Sequence, residues 1–187
     1  MGIILVLISA LMWSIVPVLV KSSSFMVDSY TITFARFFFG ILLLFLFVFI
    51  RQGKIRIGWK EKWIWYGALG KAINYTFENL GVSIGYAYEQ IVVMPMGMVY
   101  MLIVSVLLFK ERLNRYSIAA SLFSIVGILI VSWNGLPLSQ LMETNFAVTG
   151  LFALSALGAT FHFASQKILI EKMSSEQMNL NVFFLAT

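Results

Sequence analysis

The chain has no cysteine and a single histidine in 187 residues. Without cysteine there is no disulfide framework, no thiolate nucleophile and no sulfur-ligated metal, so the redox compartment leaves no mark on the composition. Charge is nearly as scarce: 11% of the residues are charged and 60% are hydrophobic, against about 25% charged in a soluble domain. Together with a mean hydropathy of +0.93, this puts the chain among all-α integral membrane proteins, with the lipid bilayer as its first partner. Chemical signatures are missing too. There is no His-Glu-x-x-His pattern and no glycine-rich phosphate loop before a lysine, and no nucleophile and base stand together. His162, without a second ligand at metal spacing, reads as a packing residue. No enzymatic activity, cofactor or metal is expected.

Apolar runs of spanning length, about 17 to 25 residues, fall at 3–20, 30–50, 63–84, 91–109, 116–133 and 147–166. A seventh begins near Met178 and reaches Thr187, about 10 residues, which cannot cross a core of about 30 Å. The expectation is therefore a multi-span helical bundle with six full transmembrane helices and a truncated seventh. The first run has no basic residue before it and no Ala-x-Ala pattern after it, so it reads as a retained span rather than a signal peptide. Trp59, Trp63, Trp65 and Tyr66, with Tyr116 and Trp133, mark membrane interfaces.

Shifted by 146 positions, the chain repeats itself. Ser9-Ala10-Leu11 returns as Ser155-Ala156-Leu157, Ser14 faces Thr160, Lys21 faces Lys167, and Phe37-Phe38 lies over Phe183-Phe184. Five apolar runs fit in one period, and an odd number of crossings turns the second copy upside down, as in inverted-repeat transporters. The expected organisation is a first five-helix repeat at 1–133, an extracytoplasmic loop at 134–146 and the incomplete start of an inverted second repeat at 147–187.

The formal net charge of +5 comes from basic residues scattered through short loops, a membrane-surface pattern rather than a nucleic-acid one. Arg51, Lys54, Arg56, Lys60 and Lys62 separate the second and third runs, Lys110, Arg112 and Arg115 the fourth and fifth, and Lys167 and Lys172 follow the sixth. Alternate loops hold Lys21 with Asp28, Glu89 and Glu143. By the positive-inside rule the basic loops and the N-terminus are cytoplasmic, in a multi-pass protein of the cell membrane.

Polar residues inside the spans are the candidates for function, since an ionised side chain at the bilayer centre costs about 2.5 to 3.5 kcal/mol on insertion scales. The third run is richest. Lys71, Asn74, Tyr75 and Glu78 follow i, i+3, i+4, i+7 spacing and form one face, with Asn79 beside it. Counted from residues 30 and 85, Arg36 lies six residues deep and Glu78 seven, about 9 and 10 Å, so the two can pair. Such a pair either locks two helices together or leaves a carboxylate able to exchange protons during transport. Lys71 either snorkels to the inner interface or points inward and attracts anionic groups. Asn74 and Tyr75 are hydrogen-bonding candidates or packing glue. Trp13 and Met98 are candidate cavity walls, Met98 within the run Met94, Pro95, Met96, Gly97, Met98, Tyr100 and Met101, and Pro17 and Pro95 offer helix bends. Small residues mark close contacts: Gly81 with Gly85, Ser117 with Ser121, Ala120 with Ser124, and the row Ala156, Thr160 and Ala164.

Ala10-Leu11-Met12-Trp13-Ser14, Arg36, Pro95, Phe109-Lys110-Glu111-Arg112-Leu113 and Gly127-Ile128-Leu129-Ile130-Val131, taken in order, resemble the drug/metabolite transporter superfamily and its EamA-type members. Lys110 stands where the family pattern has glycine. The resemblance implies ten helices in two inverted five-helix halves, about 290 to 300 residues by the period. It further implies a secondary transporter that exports small polar or amphipathic metabolites by alternating access through a cavity lined by the first, third, fourth and sixth helices. The alternative is a truncated or non-transporting helical membrane protein that acts as an assembly partner. A homodimer, each copy supplying the other's missing half, is compatible with either.

Overall fold

The computed structural model describes residues 2–55, 57–58, 60–133, 135 and 146–187; Arg56, Trp59, Glu143 and nearly all of the 134–146 loop lie outside the described residues. Among the described residues there are seven α-helices and no strand. They are α1 Gly2–Ser23, α2 Ser29–Gln52, α3 Lys62–Ile84, α4 Val93–Phe109, α5 Arg115–Trp133, α6 Phe146–Leu169 and α7 Ser175–Ala186. A 3-10 turn, Ala87–Val92, leads into α4.

Helices suit these runs because hydrocarbon offers no partner for a backbone N–H or C=O, and a helix satisfies both within the segment. Their ends are set by local chemistry. Asp28 caps α2 by accepting from the backbone N–H of Tyr30 and of Thr31, each at 3.1 Å. The Thr31 hydroxyl, donating to the same carboxylate, is the main reason its pKa lies below the usual carboxylate value. Gly53, at φ 63°, closes α2 in the left-handed conformation that glycine adopts at least cost. Ser174 caps α7 through the N–H of Gln177. The last carbonyls of α3 are met from another helix: the Lys21 ammonium of α1 donates to the carbonyls of Ser83 and Gly85 at 2.9 and 2.7 Å. A cation there also complements the negative end of the helix dipole.

Five segments are long and apolar enough to cross a membrane: α1, α2, Ala87–Phe109, α5 and α6. This is one fewer than the six full spans expected from the sequence. The third expected span, α3, has the length at 23 residues, but Lys71, Asn74, Glu78 and Asn79 lower its hydropathy. It is also the helix most enclosed by protein, packing along α6 and touching α7, α2 and α1. α7 has 12 residues, about 18 Å of helix.

The α3–α6 crossing is a backbone contact. A Cβ added at Gly158 would lie 2.6 Å from the Gly70 carbonyl oxygen and from the Asn74 nitrogen, and one added at Gly70 would meet the Gly158 carbonyl at 2.7 Å. No residue larger than glycine fits either position without separating the helices. Gly81 sits against the Phe152 ring of α6 in the same way. Ala156, Thr160 and Ala164 run down the buried face of α6, as their spacing predicts. The small residues of α5 behave otherwise: Ser117 and Ala120 are exposed, Ser121 and Ser124 only partly covered, and α5 packs chiefly on α4 and the 3-10 turn, with Ser132 near its end accepting from the Thr149 hydroxyl of α6 at 3.2 Å. The predicted close approach on that face is absent among the described residues because no helix lies against it.

Two apolar clusters fill the bundle. Val20, Val82, Val92, Val93, Ile128, Val148, Phe152 and Ala156 pack near the acidic loops, and Ile64, Leu169, Met178 and Val182 near the basic ones. At the basic end Arg51–Glu176, Lys172–Glu61 and Lys167–Glu111 pair at 2.7, 2.8 and 2.5 Å. All three are solvent-accessible, so each is worth about 0 to 1 kcal/mol.

Candidate functional site

α3 carries the site because burial on most sides lets it hold polar residues that a lipid-facing helix could not. Its stripe separates into two directions. Asn74 faces α6, donating to the Ser155 carbonyl at 3.2 Å and to its hydroxyl at 2.9 Å, while that hydroxyl donates to the Asn74 carbonyl at 3.0 Å. This reciprocal clasp joins the two helices just beyond the Gly70–Gly158 crossing.

Glu78 faces α2. The Arg36 guanidinium donates to Glu78 Oε1 at 3.1 Å and, closer, to Asn79 Oδ1 at 2.7 Å. Asn79 Nδ2 donates to the Thr33 hydroxyl at 2.7 Å, and Thr33 passes its own proton to the Ser29 carbonyl at 2.8 Å. This chain fixes Arg36 against α3 and leaves Glu78 Oε2 buried with no hydrogen-bond partner among the described residues.

Tyr75 lies between two cations. The Arg36 guanidinium carbon stands 3.8 Å from the centre of its ring and the Lys71 ammonium 4.3 Å. Trp13 of α1 completes the arrangement, 5.9 Å from Arg36 and 5.6 Å from Lys71. Phe37 of α2 and Phe183 of α7 back Tyr75 at 5.1 and 6.1 Å between ring centres. An aromatic face offers a cation about 0.5 to 2 kcal/mol, the upper end where water is excluded. Lys71 has turned toward these rings, the inward of the two orientations open to it from the sequence, and makes no ion pair or hydrogen bond among the described residues. One carboxylate and two cations therefore share the site.

Trp13, Lys71, Tyr75, Glu78 and Arg36 are thus brought together, with Asn74 on the adjoining face of α3. Met98 is not: it is exposed on α4 and shares none of these contacts. Pro17 lies inside α1 and has no N–H to give the carbonyl of Trp13, four residues earlier, which loosens the helix beside the site. Pro95 stands in the first turn of α4, just after the 3-10 turn, where a missing N–H costs little; it starts the helix rather than bending its middle. His162 is buried on α6, its Nε2 3.1 Å from the Gln166 amide nitrogen. Among the described residues no group of three or more metal-ligating side chains occurs.

Sequence reasoning did not single out Gly70 with Gly158, nor Thr33 and Asn79 as the support for Arg36. The aromatic backing had a signal, since Phe37 and Phe183 are 146 positions apart and marked the repeat. In the fold they touch, 5.5 Å between centres.

An all-helical, multi-pass membrane protein with a charged and aromatic cluster enclosed among its helices is the class that fold and site define. The sequence model of the EamA-like transporter family matches residues 1–133, and the chain belongs to that family of membrane transporters. No curated protein and no solved structure matches it.

Proposed function

We propose that the protein is a secondary transporter of the cell membrane that exports small polar or amphipathic metabolites by alternating access. Trp13, Lys71, Tyr75 and Glu78 line its cavity and Asn74 braces it. The observation that carries this reading is Glu78, 2% exposed among apolar helices yet bonded, among the described residues, through only one oxygen. A carboxylate kept only to lock two helices would gain from having both oxygens bonded; a free oxygen at this depth is available to a proton or a solute.

The proposal includes two inverted five-helix halves, ten helices in the whole protein, with the N-terminus and the basic loops cytoplasmic. Two features support it. Phe37 and Phe183, equivalent by the repeat, face one another, as residues beside a two-fold axis do. The α1–α2 groove, about 550 Å³ and lined by Leu19, Ile32, Ala35 and Arg36 among others, has a filled counterpart. Shifted by 146, these positions become Ser165, Met178, Asn181 and Val182. All four are buried under α3 or the segment before it: Gly67 against Ser165 and Val182, Ile64 in the cluster with Met178, and the Gly58 N–H on Asn181 at 2.7 Å. A second-half counterpart of α3 fits the α1–α2 groove in the same way.

The exposed faces of α1 and α5 favour a second reading, an assembly partner that does not itself transport. Liposomes containing the purified protein separate the two. Saturable efflux of a preloaded metabolite mixture, read by mass spectrometry, supports transport, and retention equal to that of empty liposomes supports the assembly partner.

A further inference from the structure

We propose that Lys71 docks a single negative charge on a small amphipathic solute whose apolar part lies on Trp13 and Tyr75. This rests on the transport reading of the same cluster and narrows its substrate to monoanions. The argument begins with charge. Arg36 takes Glu78 Oε1 and Asn79, whereas Lys71 has no ion pair and no hydrogen bond among the described residues. Glu78 lies seven residues further along α3, and the ion pair it makes is with Arg36. The cluster thus carries one positive charge in excess. Aromatic faces return only part of what an ammonium loses on leaving water, so the excess is best neutralised by an anion in contact.

Geometry says where. The Lys71 ammonium is held 4.3 Å from the centre of Tyr75 and 5.6 Å from that of Trp13, away from the basic end of α3, whose first residue, Lys62, is nine residues off, about 13 Å. Tyr75 is buried and Trp13 is 38% exposed, so a solute reaches the open face of Trp13 with Lys71 directly beside it. The approach selects an apolar or aromatic body next to a carboxylate or similar anion. Glu78, whose second oxygen has no partner among the described residues, disfavours a second negative charge.

The test measures Trp13 fluorescence in the full chain in nanodiscs of zwitterionic lipid, with Trp13→Phe to identify the signal. The probes are phenylacetate, its neutral amide phenylacetamide, the cation phenethylamine and the dianion phenylsuccinate. Phenylacetate is expected to bind at least about 10-fold more tightly than the amide or the amine, the value of a charge-assisted hydrogen bond. Lys71→Met is expected to erase that preference and Lys71→Arg to keep it. Glu78→Gln, which raises the excess charge by one, is expected to move phenylsuccinate about 10-fold toward or past phenylacetate. Equal binding of acid and amide by wild type, or an unchanged preference in Lys71→Met, overturns the proposal. So does loss of phenylacetate binding in anionic-lipid nanodiscs, because the anion Lys71 takes would then be a lipid headgroup. A Lys71-dependent anion preference without flux of any solute would keep this site and remove the transport reading; flux confined to neutral or cationic solutes would do the opposite.

Discussion

Replacing Arg36 by alanine removes the partner of Glu78, the donor to Asn79 Oδ1 and the cation on Tyr75 in one step. Removing one member of a fully buried pair costs about 3 to 5 kcal/mol, because the other charge is left without compensation. The side-chain exposures here are 17% for Arg36 and 2% for Glu78; the stranded carboxylate is well buried, but the opening on the Arg36 side lets water reach the vacated place, so the loss should lie near the lower end, about 3 kcal/mol. The lost stacking on Tyr75 adds about 1 kcal/mol, and water entering beside Arg36 returns part of it. If charge imbalance dominates, removing both charges should hurt less than removing one: Arg36→Met with Glu78→Gln is expected to be at least about 1 kcal/mol more stable than Arg36→Ala. The assay is unfolding in mixed micelles, followed by circular dichroism, for wild type, both single variants and the double variant. A loss below about 1 kcal/mol for Arg36→Ala, or a double variant weaker than Arg36→Ala, would refute the reasoning.

Three further outcomes can be measured on the same protein. Gly158→Ala is expected to cost about 2 kcal/mol or more, because the new methyl would lie 2.6 Å from backbone atoms of α3 that cannot move aside, whereas Gly97→Ala, with nothing within 4 Å, should be neutral or stabilise by up to about 1 kcal/mol. Equal melting temperatures for these two variants would contradict the crossing. Lys110→Gly is expected to stabilise by about 1 kcal/mol, since Lys110 closes α4 at φ 54°, the one non-glycine residue with positive φ among those described; a lower melting temperature would oppose this. In the cysteine-free background an impermeant thiol reagent on intact cells should label Met26→Cys and spare Lys54→Cys, and the reverse pattern would overturn the cytoplasmic N-terminus.

The sequence made some of this legible because a membrane is an unforgiving solvent. Lys71, Asn74, Tyr75 and Glu78 stood out since each costs energy in hydrocarbon, and helical spacing placed them on one face. Depth counting paired Arg36 with Glu78, and the fold sets them 3.1 Å apart. Counting could not reveal that Asn79 is the nearer acceptor, because its neighbour depends on how α2 is rotated. The α3–α6 contact was hidden for a similar reason: Gly70 and Gly158 belong to no short motif, and only the packed pair shows that their backbones touch. Met98 was named from composition alone, and methionine serves a lipid-facing surface as well as a cavity. Lys110 is the reverse case. The family pattern has glycine there, and the left-handed backbone gives the physical reason.

The central claim is that Glu78 takes part in transport rather than only bracing α2 against α3, and its most direct test is solute efflux from liposomes between pH 5 and 8 for wild type and Glu78→Gln. The amide keeps the size and an acceptor for Arg36, which also holds Asn79 Oδ1, but cannot exchange a proton, so the melting temperature should fall by less than in Arg36→Ala while the variant's efflux is lost or no longer responds to pH. Efflux by Glu78→Gln at the wild-type rate, with the wild-type dependence on pH, would contradict the account and leave the Arg36–Glu78 pair as a structural brace.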